Sequence, residues 1–310
     1  MGGCAVITTR RQMLYGLGTA AIAAGFTSTA TRVIAAGDGR EVLTASDGHL
    51  VLSGDFVFDG MPQAELAEIL ERHDVPRDEV QQPCNLTLLR DGDRLILFDA
   101  GAGPSFMPTA GDLADTLYDM DIAPEDVTDV VFTHGHPDHL WGVLDGFDEL
   151  LFANATHHFG QAEWDYWSDP DTVNTIGEAR AAFAVGAQRR LEAIEDIVQF
   201  FNAGDEVLPG IMAHATPGHT PGHTSFEIAT GGDPVLVVGD AFTNAHVNFE
   251  RPDWPSGSDQ DRELGVETRA RLMDQAATDK MRIIGFHLPG GGMGRVERKD
   301  GAYRFVEDEA

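Results

Sequence analysis

Residues 133–139 read Thr-His-Gly-His-Pro-Asp-His, which sets three imidazoles and a carboxylate within positions 134–139. These are borderline ligands that suit Zn²⁺ best among the common metals. The run follows Asp129-Val130-Val131-Phe132, a short apolar stretch of buried-strand character, so it occupies the loop where that strand ends. On such a loop, alternation points His134 and His136 one way while Asp138 and His139 reach another. That geometry favours two neighbouring metal positions over one.

A loop of this kind needs a sheet to hold it. Strand-like runs recur at 86–89, 95–98, 130–132, 150–152, 198–201, 225–228, 235–238, 282–286 and 303–306, bounded by Gly, Asp or Pro. Helical spacing of apolar residues appears at Leu66, Ile69 and Leu70, at Leu113, Leu117 and Met120, and over 183–194 and 264–273. Mixed elements around a large core read as α+β, two sheets with helices packed outside. No linker, repeat or low-complexity block interrupts residues 37–310, which read as one domain.

Charge narrows the partners. The chain carries 51 acids against 21 bases, a net charge of −30. Such a surface repels phosphate backbones and anionic headgroups, which argues against nucleic acid and charge-driven membrane binding. It also disfavours anionic substrates such as β-lactam carboxylates or phosphate monoesters.

The first 36 residues read as an address. Arg10 and Arg11 precede a weakly apolar run from Leu14 to Phe26, 13 residues long and so too short to serve as a stable membrane anchor. The pattern resembles a twin-arginine export signal, with cleavage after Ala30, Ala35 or Ala36. Export by that machinery to the periplasm or the medium is the expectation. Loss of residues 1–36 removes three arginines and no acid, so the mature charge becomes −33. Cys84 is then the only cysteine left, which excludes an internal disulfide.

The His-x-His-x-Asp-His run resembles the signature of the metallo-β-lactamase superfamily. Further segments match that family in order: Phe-Asp-Ala-Gly with Asp99, Thr-Pro-Gly-His-Thr-Pro-Gly-His with His219 and His223, Val-Gly-Asp-Ala with Asp240, and Gly-Phe-His-Leu-Pro with His287. The resemblance implies an αββα four-layer sandwich with its site at one edge of the sheets. It implies two Zn²⁺ per chain, with Mn, Co or Fe also compatible. His134, His136 and His219 are then expected to hold one metal, and Asp138, His139 and His287 the other, with Asp240 bridging them. Asp99 and His223 are expected behind the ligands, and Asp138 to carry the proton in catalysis.

His136 stands where oxygen-reducing members carry Glu, and Asp240 where true β-lactamases carry Cys, so the resemblance points to a metal-dependent hydrolase of another kind. The early Ser-Asp-Gly-His-Leu segment, the Ala-Glu-Trp-Asp-Tyr-Trp run and the terminal Gly-x-Tyr-Arg-Phe are similar to the exported methyl-parathion-hydrolase-like and N-acyl-homoserine lactonase branch. One departure is Thr243, where small lactonases carry a carbonyl-polarising Tyr. The expected substrate is a neutral lactone or ester, foremost an N-acyl-homoserine lactone (quorum quenching), with a phosphotriester as the alternative. A non-catalytic periplasmic zinc-binding protein is the reading outside this class. Phe106, Met107, Trp164, Trp167, Phe249 and Trp254 are the expected apolar pocket. A homodimer is compatible with the sequence.

Overall fold

The computed structural model describes residues 33–35 and 39–308. Most of the expected export signal therefore lies outside the described residues. Val33–Ala35 is the exception: it forms an edge strand paired with residues 41–43. A chain cleaved after Ala30 keeps that strand, and one cleaved after Ala36 loses it.

Two seven-stranded sheets face each other. The first runs β1 (Val33–Ala35), β2 (Glu41–Ser53), β3 (Glu79–Asp91), β4 (Arg94–Phe98), β5 (Asp129–Val131), β6 (Thr156–Gly160) and β7 (Val198–Phe201) in sequential order. The second mirrors it, from β8 (Glu206–Leu208) at one edge through β9 (Ile211–Ala215), β10 (Thr224–Ile228), β11 (Val235–Gly239), β12 (Arg282–Gly285) and β13 (Met293–Lys299) to β14 (Ala302–Glu307). Strands β4 to β7 pair in parallel, as do β11 and β12.

Period-2 alternation builds the layers. Leu89, Ile96, Phe98 and Val131 point inward to meet Phe226, Val235, Val237 and Ile284 of the second sheet. Their neighbours Leu88, Leu97 and Val130 point outward onto the helices Leu113–Asp119 and Ala181–Ile194. On the far side Leu236, Val238 and Ile283 meet Leu272, Met273 and Ala276 of the helix Arg262–Asp279. The result is the αββα sandwich.

One expected strand is not a strand. Residues 150–152 form a turn whose only ladder contact is an isolated Leu144–Leu150 bridge. Asp145 Oδ1 accepts the backbone N–H groups of Phe147 and Glu149, so the chain folds back locally and still buries Phe152. Conversely, β6 (Thr-His-His-Phe-Gly) lacks a strand's usual composition, yet His157 and His158 are both buried. His157 stacks on Phe132 and His158 pairs with Asp129 at 2.9 Å.

Asp47 ties the front of the first sheet to the loop that walls the site. Its carboxylate accepts from Ala102 N and Leu113 N, both at 2.7 Å. Burial outweighs these bonds and pushes its pKa up to about 7. With the folded value above the unfolded one, its contribution is fully present below the unfolded pKa near 3.8 and is lost as pH rises through about 7. Asp47→Asn lacks this slope. Stability measured by urea unfolding at pH 4 and pH 7 is expected to show the wild type losing about 3 kcal/mol relative to the variant across that interval. A constant difference would contradict it.

Candidate metal centre

The parallel strands deliver their following loops to one end of the sandwich. β4 ends at Asp99, β5 leads into 134–139, β11 ends beside Asp240, and β12 leads to His287. Between β9 and β10 the loop carries His219 and His223.

These loops assemble two groups of donor atoms, His134, His136 and His219 in one, and Asp138, His139, Asp240 and His287 in the other. All seven residues are buried. In the first group His136 Nδ1 lies 3.0 Å from His134 Nε2 and 2.8 Å from His219 Nε2. Burial, reinforced by the neighbouring imidazoles, holds His134 and His136 well below the usual histidine range, so both present neutral lone pairs. In the second group, Asp240 reaches His139 Nε2, His287 Nε2 and His219 Nε2, each at 3.2 Å, and so touches both groups. Asp138 Oδ2 lies 3.3 Å from His287 Nε2.

The donor set fits divalent cations. Asp138 Oδ2, Asp240 Oδ1 and His139 Nε2 are buried without a hydrogen-bond partner, a costly state unless a cation meets them. Burial alone would lower the pKa of His139, yet Asp240, Asp138 and Asp99 raise it to about 10. The cluster demands positive charge, which a divalent cation provides while leaving imidazoles neutral.

The Nδ1 edges of His134, His139 and His287 are anchored. Asp99, at a left-handed φ of 67°, accepts from Thr133 N at 2.7 Å, from Thr133 Oγ1 at 2.8 Å and from His139 Nδ1 at 2.8 Å. Thr133 Oγ1 in turn lies 3.0 Å from His134 Nδ1 and accepts its proton. His287 Nδ1 donates to Pro83 O at 2.9 Å. Each bond selects the tautomer that aims Nε2 at the centre. His223 is used differently. Its Nε2 accepts from Asp240 N at 3.0 Å and its Nδ1 donates to Thr216 Oγ1 at 2.8 Å, so it has no lone pair to spare for a metal.

Two carboxylates that sequence reading did not single out complete the support. Glu163 is buried and accepts from Gly135 N and Trp167 Nε1 through one oxygen, and from Thr220 Oγ1 and Gly222 N through the other. It stitches the 134–139 loop to the loop that bears His219. Asp259 lies 3.5 Å from His219 Nδ1 and is held by Arg269 at 2.7 Å. Glu163 stood in the Ala-Glu-Trp run, but nothing in its spacing shows which backbone N–H groups it will meet.

A cleft opens over the donors, lined by His136, Asp138, His219, Asp240 and His287 below and by Leu50, Leu52, Phe56, Phe106 and Phe183 on its walls, with Gln82, Arg180, Thr243 and Ser258 as polar groups. Of the six expected pocket residues, only Phe106 lines it. Met107 turns away, its sulfur 3.2 Å from Val51 N. Trp164 packs on Phe159 and Phe200 at the outer sheet edge. Trp167 is buried behind the site, edge-on to His136 at 5.6 Å. Phe249 and Trp254 are buried in two other apolar clusters. The aromatic count in the sequence carried no information on which rings the loops would turn inward. A roomier cavity of about 370 Å³ lies elsewhere, beside the stacked His73 and His246, and holds neither donor group.

Glu163→Gln replaces one acceptor oxygen with an NH₂ group that faces N–H and O–H donors. The expected result is at least about a tenfold loss in metal affinity, read by competition with a chelator, with far-ultraviolet circular dichroism unchanged. Unaltered metal affinity would show that the stitch does not position His136 and His219.

Known proteins support the same reading. Residues 80–275 match the Metallo-beta-lactamase superfamily. An N-acyl homoserine lactonase, AttM, of Azorhizobium caulinodans is 31% identical over 132 residues, 42% of this chain and 47% of the relative, so the match spans less than half of that protein. An N-acyl homoserine lactonase of a Bacillus species is 26% identical over 66% of this chain and 81% of its own length. Among solved structures, the hydrolase AbOPH of the β-lactamase superfamily superposes with a TM-score of 0.84 at 28% identity, covering 90% of this chain and 98% of that one. The dizinc quorum-quenching lactonase AidC, solved with a product, gives 0.85 at 25% identity over the same shares. The chain belongs to the metallo-β-lactamase superfamily and is a metal-dependent hydrolase of the αββα fold.

Proposed function

We propose that this hydrolase opens N-acyl homoserine lactones with two Zn²⁺. In this reading His134, His136 and His219 hold one ion, Asp138, His139 and His287 the other, and Asp240 lies between them. The observation that carries it is the pair of donor groups sharing Asp240 beneath an aromatic-walled cleft, in a chain whose relatives include named lactonases.

When bound, the metal pair supplies Lewis acidity and lowers the pKa of water. The chain's own groups do the rest. Asp138, which lines the cleft, takes the proton released in the attack and returns it to the leaving alkoxide. Phe56, Phe106 and Phe183 exclude water and receive an acyl chain. The strongly acidic chain favours neutral substrates over anions at long range. Aromatic walls suit an aryl leaving group as well, which makes a neutral phosphotriester the second reading.

The two are separated by kcat/KM for a series of acyl-homoserine lactones against a neutral aryl phosphotriester in matched salt. The lactones are expected to win, and a triester preferred by more than about tenfold at every chain length reverses the order. For the metal assignment, Asp240→Asn is expected to lower metal content and hydrolysis together, because a neutral bridge leaves two cations repelling each other. Two metals per chain with full activity would remove Asp240 from that role.

We also propose that residues 1–36 are a twin-arginine signal that places the mature protein in the periplasm or outside the cell. Replacing Arg10 and Arg11 with Lys keeps the charge but not the guanidinium geometry. The double variant is expected to accumulate in the cytoplasm, and normal export of it would refute the reading.

A further inference from the structure

Arg180 closes the short turn that leads into the helix Ala181–Ile194, and its side chain lines the cleft above the donor groups. Its Nη2 donates to two carbonyls of the facing loop, Gly257 O at 2.9 Å and Ser258 O at 3.0 Å. Phe56 packs against the guanidinium, with the ring centroid 5.7 Å from Cζ. Contacts from two other parts of the chain therefore fix where the charge sits.

None of those contacts neutralises it. Among the described residues no ion pair joins Arg180 to a carboxylate, whereas nearby Arg262 and Arg269 are paired with Asp59 and Asp259. Asp259, the acid whose field reaches Arg180, is committed to Arg269 and His219. A guanidinium offers five N–H donors, and the two carbonyl bonds engage only Nη2. Among the described residues the other N–H groups of this half-buried fork have no protein acceptor and are not sealed from solvent, so an acceptor oxygen of a ligand can take the place of water there. Burial works against its charge, but arginine stays protonated in proteins.

We propose that Arg180 is a specificity-determining residue that hydrogen-bonds a second acceptor oxygen of the substrate, set apart from the carbonyl that reacts. On the lactonase reading above, on which this rests, that acceptor is the acyl amide carbonyl of an N-acyl homoserine lactone. Of the other polar groups on the cleft walls, Gln82 Nε2 donates to Thr243 O and Ser258 Oγ pairs with Ser256 Oγ, which leaves Arg180 as the arginine or lysine donor of this cleft. A charged donor also recognises a neutral carbonyl strongly without requiring an anion, which agrees with a protein whose overall charge repels anions.

The test compares wild type, Arg180→Met and Arg180→Lys on two substrates, N-hexanoyl homoserine lactone and a γ-alkyl lactone of equal length without the amide. Binding of the non-hydrolysable N-hexanoyl homoserine lactam is measured by calorimetry on the same proteins. In Arg180→Met the preference for the amide-bearing lactone is expected to fall at least about tenfold, mostly through KM, with a matching loss in lactam affinity. Arg180→Lys is expected to recover part of both. Equal losses on both lactones, or unchanged lactam binding, overturn the proposal and leave Arg180 as support for the Gly257–Ser258 loop. Should wild type open neither lactone, the lactonase reading fails by itself. Aryl esters with and without a distal amide then decide the role of Arg180 by the same ratio, and an unchanged ratio overturns it.

Discussion

Two buried carboxylates and five buried imidazoles converge on one end of this molecule, and their donor atoms face each other more closely than uncompensated groups can. Lone pairs of His134, His136 and His219 point at a common centre. Asp138 and Asp240 leave oxygens without hydrogen-bond partners in the same space. In a low-dielectric interior such a set is unstable unless cations occupy it. Much of the surrounding architecture can be read as the means of holding that set in place.

The means is parallel pairing. A parallel strand releases its following loop at its C-terminal end, so β4, β5, β11 and β12 bring Asp99, the 134–139 run, Asp240 and His287 to one edge. Hydrogen bonds between these loops then set each ring. Asp99 reads both Thr133 and His139, while Glu163 reads Gly135, Thr220 and Gly222. The two carboxylates differ in sequence context but act alike, since each satisfies buried N–H groups that loops would otherwise leave unpaired. Close packing enforces the same geometry, because a Cβ at Gly135 would lie 2.5 Å from the Trp167 ring.

Local sequence was enough for the elements that alternate or repeat. Leu95–Phe98, Val235–Val238 and the helix around Leu66, Ile69 and Leu70 carry their burial in their spacing. It failed where polar residues are buried through partners distant in the chain, as at His157–His158, and where an apolar run at 150–152 is buried as a turn. The pocket was the least legible part. Trp164 and Trp167 lie four and seven residues past β6 and were natural candidates, yet the helix that carries them turns one outward and the other behind His136.

Sequence alone named the donor types within positions 134–139, because a metal needs particular donor atoms and that spacing places them within one loop, while their grouping with His219, Asp240 and His287 was an expectation carried by the family resemblance. The acidic balance and the arginine pair near the N-terminus are likewise properties of composition and order. Only the tertiary structure decided which distant residues share that loop's environment. Glu163 and Asp259 became supports, Arg180 and Phe183 became walls, and Phe249 and Trp254 became core. The physical reason is that ligand identity follows from the chemistry of single side chains, whereas a wall or a support depends on the register and twist by which separate loops meet.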